Sequence, residues 1–487
     1  MVAWPDPGRG SPFPGSVAQF LLDGPGSGCH RFLTARGVAI QGVALNVAVI
    51  GAGPAGLFVG AALARRSHRV TAVDRDIGPG GGGEWARRGV MQFHHAHTFR
   101  PQVADALLAE MPLAYKCWLD AGAEPVTATF DGRDRMIGVR SRRVTFERAL
   151  RSAAVQVDCL QIRRGHVDGI LTRNGRAAGV QVDGVAFDAD LVIDCSGRAG
   201  RAARGLGGRR TVGGNCGIAY VDRQYRLRPG ALPGPMSNPI GYMAGYDGYM
   251  VVVFPHEYRL FSTVIIRSTA NRDLIALRHA AAFDAVARAI PALAEWTDPA
   301  IAEPVTSVLP GGALMNVYRG QSDEDGRLIL PGLIFLGDAV CTTTPNFGRG
   351  LTTTMMQCTE LLALLDAGPR HLDDVGEQFD QWCDAAMLPW VQDHMTIDDA
   401  QADRWNGHAV DLSKALPSDL IVEAAAVDAT IGARIGPYLS MQQGPDSLAA
   451  LESRAHAVFA GGWSPAPPPG PTAAQLSEIV TIALASP

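Results

Sequence analysis

Val47-Ala48-Val49-Ile50-Gly51-Ala52-Gly53-Pro54-Ala55-Gly56 is the stretch that decides the fold. Its first four residues are apolar without alternation, as in a short strand buried on both faces. Gly51, Gly53 and Gly56 then match GxGxxG, and a helix is expected from about Ala55 to Arg66. Glycine serves three needs there: a tight turn, close backbone approach to a pyrophosphate, and tight helix–strand packing. The free N–H groups and the dipole of the helix start face the diphosphate. A second strand, Arg69–Val73, ends in Asp74, 18 residues after Gly56. A carboxylate placed there accepts hydrogen bonds from an adenosine ribose and repels a 2′-phosphate, which disfavours NADP at this clamp. Gly51, Gly53, Pro54, Ala55, Gly56, Asp74 and Arg75 are therefore the candidate residues of a dinucleotide site.

The rest of the chain suits a large α/β protein. It has 487 residues, 47% hydrophobic and 19% charged, enough for about two to four domains with a substantial core. That composition excludes a disordered chain. The net charge of −5 gives no basic field for nucleic acid. Of 43 basic residues only Lys116 and Lys414 are lysines, a skew that fits coding bias better than a binding patch. Eight cysteines show no CxxC and no Cys/His cluster, so no metal site or disulfide framework is expected and the thiols suit a reducing cytoplasm. No basic-then-apolar leader is seen, and the apolar run Val43–Ala64 is interrupted by glycines and reads as strand–turn–helix rather than a membrane span.

Residues 1–42 are rich in Gly, Pro and Ser and read as a flexible extension, or as the product of a wrongly chosen upstream start. Gly78-Pro79-Gly80-Gly81-Gly82-Gly83 reads as a flexible loop. Residues 102–122 read as one amphipathic helical stretch, 125–139 as strands, and Arg143–Ala154 as a helix. Short strands follow over 155–194, with a hairpin turn at Asn174-Gly175 and a buried strand at Leu191–Ile193. Residues 210–330 mix strands with a helix at Asp273–Ile290. Leu328–Leu336 reads as a strand, 350–365 as a helix and 370–460 as mostly helical; a Pro-rich stretch, Ser464–Pro471, precedes a last helix.

Leu328–Gly350 carries a second motif, Gly337-Asp338 at the end of a buried strand, followed by Pro345-Asn346-Phe347-Gly348-Arg349-Gly350 before a helix. It resembles the FAD-binding GD motif of flavoprotein monooxygenases of the glutathione-reductase fold. The resemblance implies that Asp338 binds the flavin ribityl chain, while Pro345, Gly348 and Gly350 face the diphosphate and the pyrimidine end of the ring. Arg143-Val144-Thr145-Phe146-Glu147 resembles that family's R-x-x-[LF]-E, which implies a diphosphate or ribityl contact for Arg143. Arg88-Gly89-Val90-Met91-Gln92 with His95 and His97, Asp194-Cys195-Ser196-Gly197-Arg198, and Tyr220–Arg226 resemble segments of a subgroup related to squalene epoxidase and polyether epoxidases. Met91 stands where that subgroup has Pro, and Asp222 where it has Ser. The A-D-G segment tied to pyridine-nucleotide reduction in the wider family is absent. His95 and His97 are expected on an extended segment pointing the same way, either as polar lining or in a structural role, without a third metal ligand.

The resemblance implies an FAD-binding domain of the glutathione-reductase class over 43–209 and 328–370. It is interrupted by a mixed β-sheet substrate domain at 210–327 and followed by a mostly helical C-terminal region at 371–487. It implies an FAD-dependent monooxygenase acting on a lipophilic or aromatic small molecule through a flavin C4a-hydroperoxide, with electrons from NADPH or NADH directly or through a flavin reductase. No acid–base pair is required, and none is assigned. Tyr220, Tyr225, Tyr242, Met243, Tyr246, Tyr249 and Phe254 are the candidate substrate wall. A geranylgeranyl-type reductase, a flavin-dependent halogenase and a non-catalytic Rossmann-type binder are the alternatives. The W-x-W-x-I-P segment and early lysine of tryptophan halogenases are missing.

Overall fold

The first strand, Asn46–Ile50, lies at the centre of a parallel sheet. In the computed structural model, which describes residues 44–79, 85–87, 89–130, 132–203, 205–369 and 371–485, this sheet has five strands. Their order is Leu333–Phe335, Leu191–Asp194, Asn46–Ile50, Arg69–Asp74 and Leu160–Arg164, every neighbouring pair parallel. The expected extension at 1–42, most of the Gly78–Gly83 loop and Arg88 lie outside the described residues. Helix Pro54–Arg65 has Pro54 in its first turn, where a missing N–H costs nothing, and Pro54–Ala64 are all buried. Asn174 and Gly175 take φ of 52° and 73°, the turn geometry expected of that pair.

A second sheet is antiparallel and runs Tyr242–Tyr246, Tyr249–Pro255, Leu260–Ser268, Ile218–Leu227, Ala302–Pro304, with Leu309–Gly311 also paired to Ile218–Leu227. Its two faces differ. Val221, Tyr225, Tyr249, Val251 and Phe261 pack into one core with Phe283 and Trp296, while Ile218, Tyr220, Val252, Val264 and Ile266 pack with Leu314 on the other side. The last helix, Ala473–Ala485, belongs to the first of these cores through Leu476 and Val480 and so packs apart from the other C-terminal helices.

Three elements depart from expectation, each at a residue that breaks the pattern. The stretch 102–122 is two helices, Pro101–Glu110 and Pro112–Asp120, because Pro112 cannot continue a helix. The strand expected over Leu328–Leu336 is only Leu333–Phe335, because Pro331 has no N–H and Gly332 sits at φ 78°. Asp273–Ile290 divides into a 3₁₀ turn, Asp273–Arg278, and a helix, Ala280–Ala289, with His279 extended between them.

Candidate functional site

The carboxyl ends of the three central strands open into a cleft of about 930 Å³. Gly51, Gly53, Pro54, Ala55, Asp74 and Arg75 line it, as do Asp338, Pro345, Gly348, Gly350 and Arg143. Gly56 is the one candidate that does not line it. A Cβ there would lie 1.9 Å from Gly51 O, so Gly56 serves the close packing of helix on strand. Gly51 takes φ +102°, and a Cβ would meet Cys195 O at 2.6 Å. The backbone must therefore be bare where the Gly51 turn passes the end of strand Leu191–Asp194.

Asp74 does not wait alone at its strand end. Its Oδ2 accepts the Ala52 amide at 2.7 Å and the Arg87 guanidinium at 2.6 Å. Arg87 Nη1 also donates to Glu147 Oε2 at 2.8 Å, and Glu147 Oε1 accepts Arg143 Nε at 2.5 Å. Burial acts to lower the Arg87 pKa, but Glu147 and Asp74 outweigh it and leave it raised. Arg143 Nη1 in turn lies 3.3 Å from His97 Nε2. His97 Nδ1 is 3.0 Å from His95 O, so that nitrogen carries the hydrogen and Nε2 presents its lone pair to Arg143. Burial, with Arg143 beside it, holds His97 well below the usual histidine range, so it stays neutral. The sequence singled out Arg143 but missed Glu147 as its partner and Arg87 as the second cation on that carboxylate. The subgroup stretch that Arg88–Gln92 resembles reads R-x-G-V-P-Q, and in that register its arginine is Arg87, one residue before Arg88, which was the available signal.

The two histidines do not share a direction. His97 lines the cleft, whereas His95 turns away to Asp222, with Nδ1 3.2 Å from Oδ2 and its ring edge-on to Tyr220. Asp222 Oδ2 also accepts the Ala96 amide at 2.8 Å, and Gln224 Nε2 donates to His94 O. Asp222, the departure from the subgroup's Ser, thus fastens the 94–96 segment to the second sheet. Among the described residues no group of His, Cys, Asp or Glu could hold a metal ion.

Asp338 sits where a buried strand delivers it. Burial raises its carboxyl, with Arg143 and Arg198 acting against the rise, and its carboxylate makes no hydrogen bond to the described residues. Gly348 takes φ +61°, and a Cβ would come within 2.0 Å of Thr98 Cγ2, whereas a Cβ on Gly350 would meet nothing within 4 Å. Between them Arg349 points away from the cleft. It pairs with Asp393 at 2.6 Å and Tyr438 Oη at 2.6 Å and covers the Trp390 ring, which ties the loop to the C-terminal helices.

Asp194 is fully buried, and Oδ1 accepts the Ser196 amide at 2.8 Å, so the strand end turns and sends Ser196, Gly197 and Arg198 to the cleft. Of the expected substrate wall, only Tyr220 and Phe254 reach it, joined by Leu314 and Met315. Tyr225, Tyr242, Tyr246 and Tyr249 lie in the core on the opposite face of the sheet, and Met243 packs beside Phe254 without lining the cleft.

A family model described as an NAD(P)-binding Rossmann-like domain matches residues 49–110. A search of curated proteins finds no match. Solved structures share the fold across most of the chain. The flavin-dependent brominase Bmp2 is 13% identical and aligns over 86% of this chain and 100% of its own, with a TM-score of 0.58. The myxobacterial chondrochloren halogenase CndH is 17% identical over 87% of this chain and 98% of its own, at 0.57. PqsL, a probable FAD-dependent monooxygenase from Pseudomonas aeruginosa, is 14% identical over 75% of this chain and 99% of its own, at 0.53. At these identities the likeness establishes the fold.

Proposed function

We propose that this chain is an FAD-dependent monooxygenase that inserts one oxygen atom of O₂ into a lipophilic or aromatic small molecule, by epoxidation or hydroxylation. One observation carries the reading: the Gly51–Ala55 turn and the Asp338–Gly350 loop, nearly 300 residues apart in the chain, line a single cleft that ends against Tyr220, Phe254, Leu314 and Met315. The residues fit the cofactor. Bare glycine backbone stands where a diphosphate would approach, Arg143 offers a cation, and Asp338 offers a carboxylate with no protein partner among the described residues to take ribityl hydroxyls. Bound FAD would supply the oxygen chemistry. The chain's part is to hold the cofactor, to keep His97 neutral beside it, and to present an apolar wall that orients the substrate and excludes water.

The relatives of known fold include halogenases, and the lysines speak against that chemistry here. Lys116 pairs with Asp120 on the surface, Lys414 pairs with Asp411, and neither lines the cleft. Oxygen transfer by an enzyme akin to squalene epoxidase and the polyether epoxidases is the reading favoured. Electrons would come from NADPH or NADH, directly or through a partner flavin reductase, because the sequence carries no second glycine clamp. No helix among the described residues is long and apolar enough to cross a membrane, and a cytoplasmic location accords with the free cysteines. The test is direct. The flavin released from purified protein is identified, and oxygen uptake with NADPH is followed with polyene and aromatic substrates, with and without a flavin reductase. A product carrying one added oxygen supports the reading; a colourless protein, or a halogenated product in the presence of halide, overturns it.

A further inference from the structure

The loop that opens helix Gly350–Asp366 is backed on its far side by a buried polar cluster that the proposed chemistry leaves unused. Thr344 is fully buried and immediately precedes Pro345 of the cleft. Its amide donates to Asn316 Oδ1 at 2.7 Å, and its hydroxyl lies 2.8 Å from His394 Nδ1 and 3.0 Å from Asp398 Oδ2. Asn316 Nδ2 donates to that same carboxylate oxygen at 2.7 Å, and its chain neighbour Met315 lines the cleft. His394 and Asp398 stand one turn apart on helix Leu388–Trp405. His394 Nε2, Asp398 Oδ1 and both amide atoms of Asn346 are buried with no hydrogen-bond partner among the described residues, an unusual density of unsatisfied groups behind one loop.

A threonine hydroxyl has one hydrogen, so this cluster has two self-consistent states. With Asp398 ionised, Thr344 donates to the carboxylate and accepts from His394 Nδ1–H. With Asp398 protonated on Oδ2, the carboxyl donates to Thr344, whose hydroxyl turns to His394 Nδ1, and the imidazole hydrogen moves to Nε2. One proton is taken up from solvent, on Asp398; the neutral imidazole exchanges its hydrogen with solvent. Burial keeps His394 neutral, and Arg349 and Arg100 add to that. Burial pushes Asp398 up to about 7 against the bonds from Asn316 and Thr344, with Asp399 and Asp419 adding to the rise. Of the other charges facing this helix, Arg349 pairs with Asp393 and Arg404 with Asp419, while Arg100 donates only to the Phe347 and Leu439 carbonyls. Burial with Asp419 pushes Glu423 up to about 7 against Arg404, so the variants at Asp398 and Thr344 are what separate this cluster from Glu423. In the turn between strands Thr211–Asn215 and Ile218–Leu227, burial pushes the Cys216 thiol up to about 11, so it stays neutral.

We propose that Thr344, His394 and Asp398 form a two-position hydrogen-bond switch behind the flavin loop, with Asp398 a positioning residue whose charge state sets how firmly the loop is held against FAD. The inference rests on the FAD reading above. In the ionised state, two charge-assisted hydrogen bonds converge on Asp398 and clamp both Thr344 and Asn316. In the protonated state that clamp weakens.

The test is the FAD dissociation constant of the full chain between pH 5.5 and 8.5, measured by flavin fluorescence. The wild type should bind FAD about fivefold more weakly at pH 6 than at pH 8, the scale of the difference between a charge-assisted and a neutral hydrogen bond. Asp398→Asn should flatten the profile, and Thr344→Val, which replaces the hydroxyl with a methyl of similar size, should flatten it too, so the outcome does not hang on one variant folding. FAD binding with the same pH profile in wild type and both variants, or with none in the wild type, overturns the switch alone. No FAD binding by the wild type at any pH overturns the FAD reading and the switch with it.

Discussion

Arg87 Nη1 meets Glu147 Oε2 at 2.8 Å, with the glutamate side chain only 1% exposed. This pair joins the acid of the first glycine clamp to the arginine of the third motif, since Arg87 also holds Asp74 and Glu147 also holds Arg143. Cutting one partner from this buried network leaves the other with a single ion pair, Arg87 on Asp74 or Glu147 on Arg143, so the cost is that of a lost charge-assisted hydrogen bond, about 1.5–3 kcal/mol, rather than of an uncompensated charge. Arg87→Met should therefore lower stability by that order in urea unfolding, and Glu147→Gln by a similar amount. The double variant should cost less than the two single losses added, because each single variant strands the same interaction. Additive losses would mean that the two residues act independently.

Gly348 and Gly350 separate a folding requirement from a binding one. At Gly348 the left-handed φ and the contact with Thr98 both oppose a side chain, so Gly348→Ala should destabilise the protein by about 1–3 kcal/mol. At Gly350 nothing opposes one, and alanine in the first turn of helix Gly350–Asp366 should leave stability unchanged or raise it by up to ~1 kcal/mol. The added methyl points into open space beside the cleft, so Gly350→Ala should nevertheless weaken FAD binding. Thermal melts and flavin titrations on the two variants read the two effects separately; unaltered FAD affinity in Gly350→Ala would remove that position from the cofactor surface.

The glycine clamp and the Asp338 loop were legible in the sequence because each is a local string whose spacing carries its own geometry. The Arg87–Glu147 pair was not. Its members are 60 residues apart, and a chain in which all but two of 43 basic residues are arginine gives no reason to choose one of them. The substrate wall was misjudged for a different reason. Composition marks Tyr225 and Tyr249 as readily as Tyr220 and Phe254, and only strand parity sends the first pair to the core face and the second pair to the cleft. The buried Asp393, His394 and Asp398 were hidden inside helix Leu388–Trp405, whose many polar residues give the sequence no sign of which ones face inward.

Asp338→Ala should lose most of its bound flavin while keeping its fold, since the Asp338 carboxylate makes no hydrogen bond to the described residues that its removal would break. Removing a half-buried carboxyl that has no hydrogen-bond partner among the described residues, and whose charged form desolvation already disfavours, should cost no stability at neutral pH. The ratio of visible flavin absorbance to protein absorbance measures the loss, and circular dichroism checks the fold. Full flavin occupancy in this variant would count against the ribityl role.

His256 ties acid stability to the joint between the second sheet and helix Arg143–Ala154. It is 3% exposed and hydrogen-bonded to Ser262, and the adjacent Glu257 takes Arg142 and Thr145 at 2.7 and 2.5 Å. Burial lowers the imidazole to about 4, with Arg142 reinforcing the shift and Glu257 opposing it. A histidine whose folded pKa lies below its unfolded value binds fewer protons in the native state between those two values. Stability is therefore present above about 6.5 and is lost as the pH falls towards 4, by about 2–3 kcal/mol for this one group. His256→Gln keeps a hydrogen-bonding side chain for Ser262 and removes the titration. Its urea midpoint should fall less than the wild type's between pH 7 and pH 4.5; equal falls would show that His256 is already charged in the native protein or that its site opens freely to water.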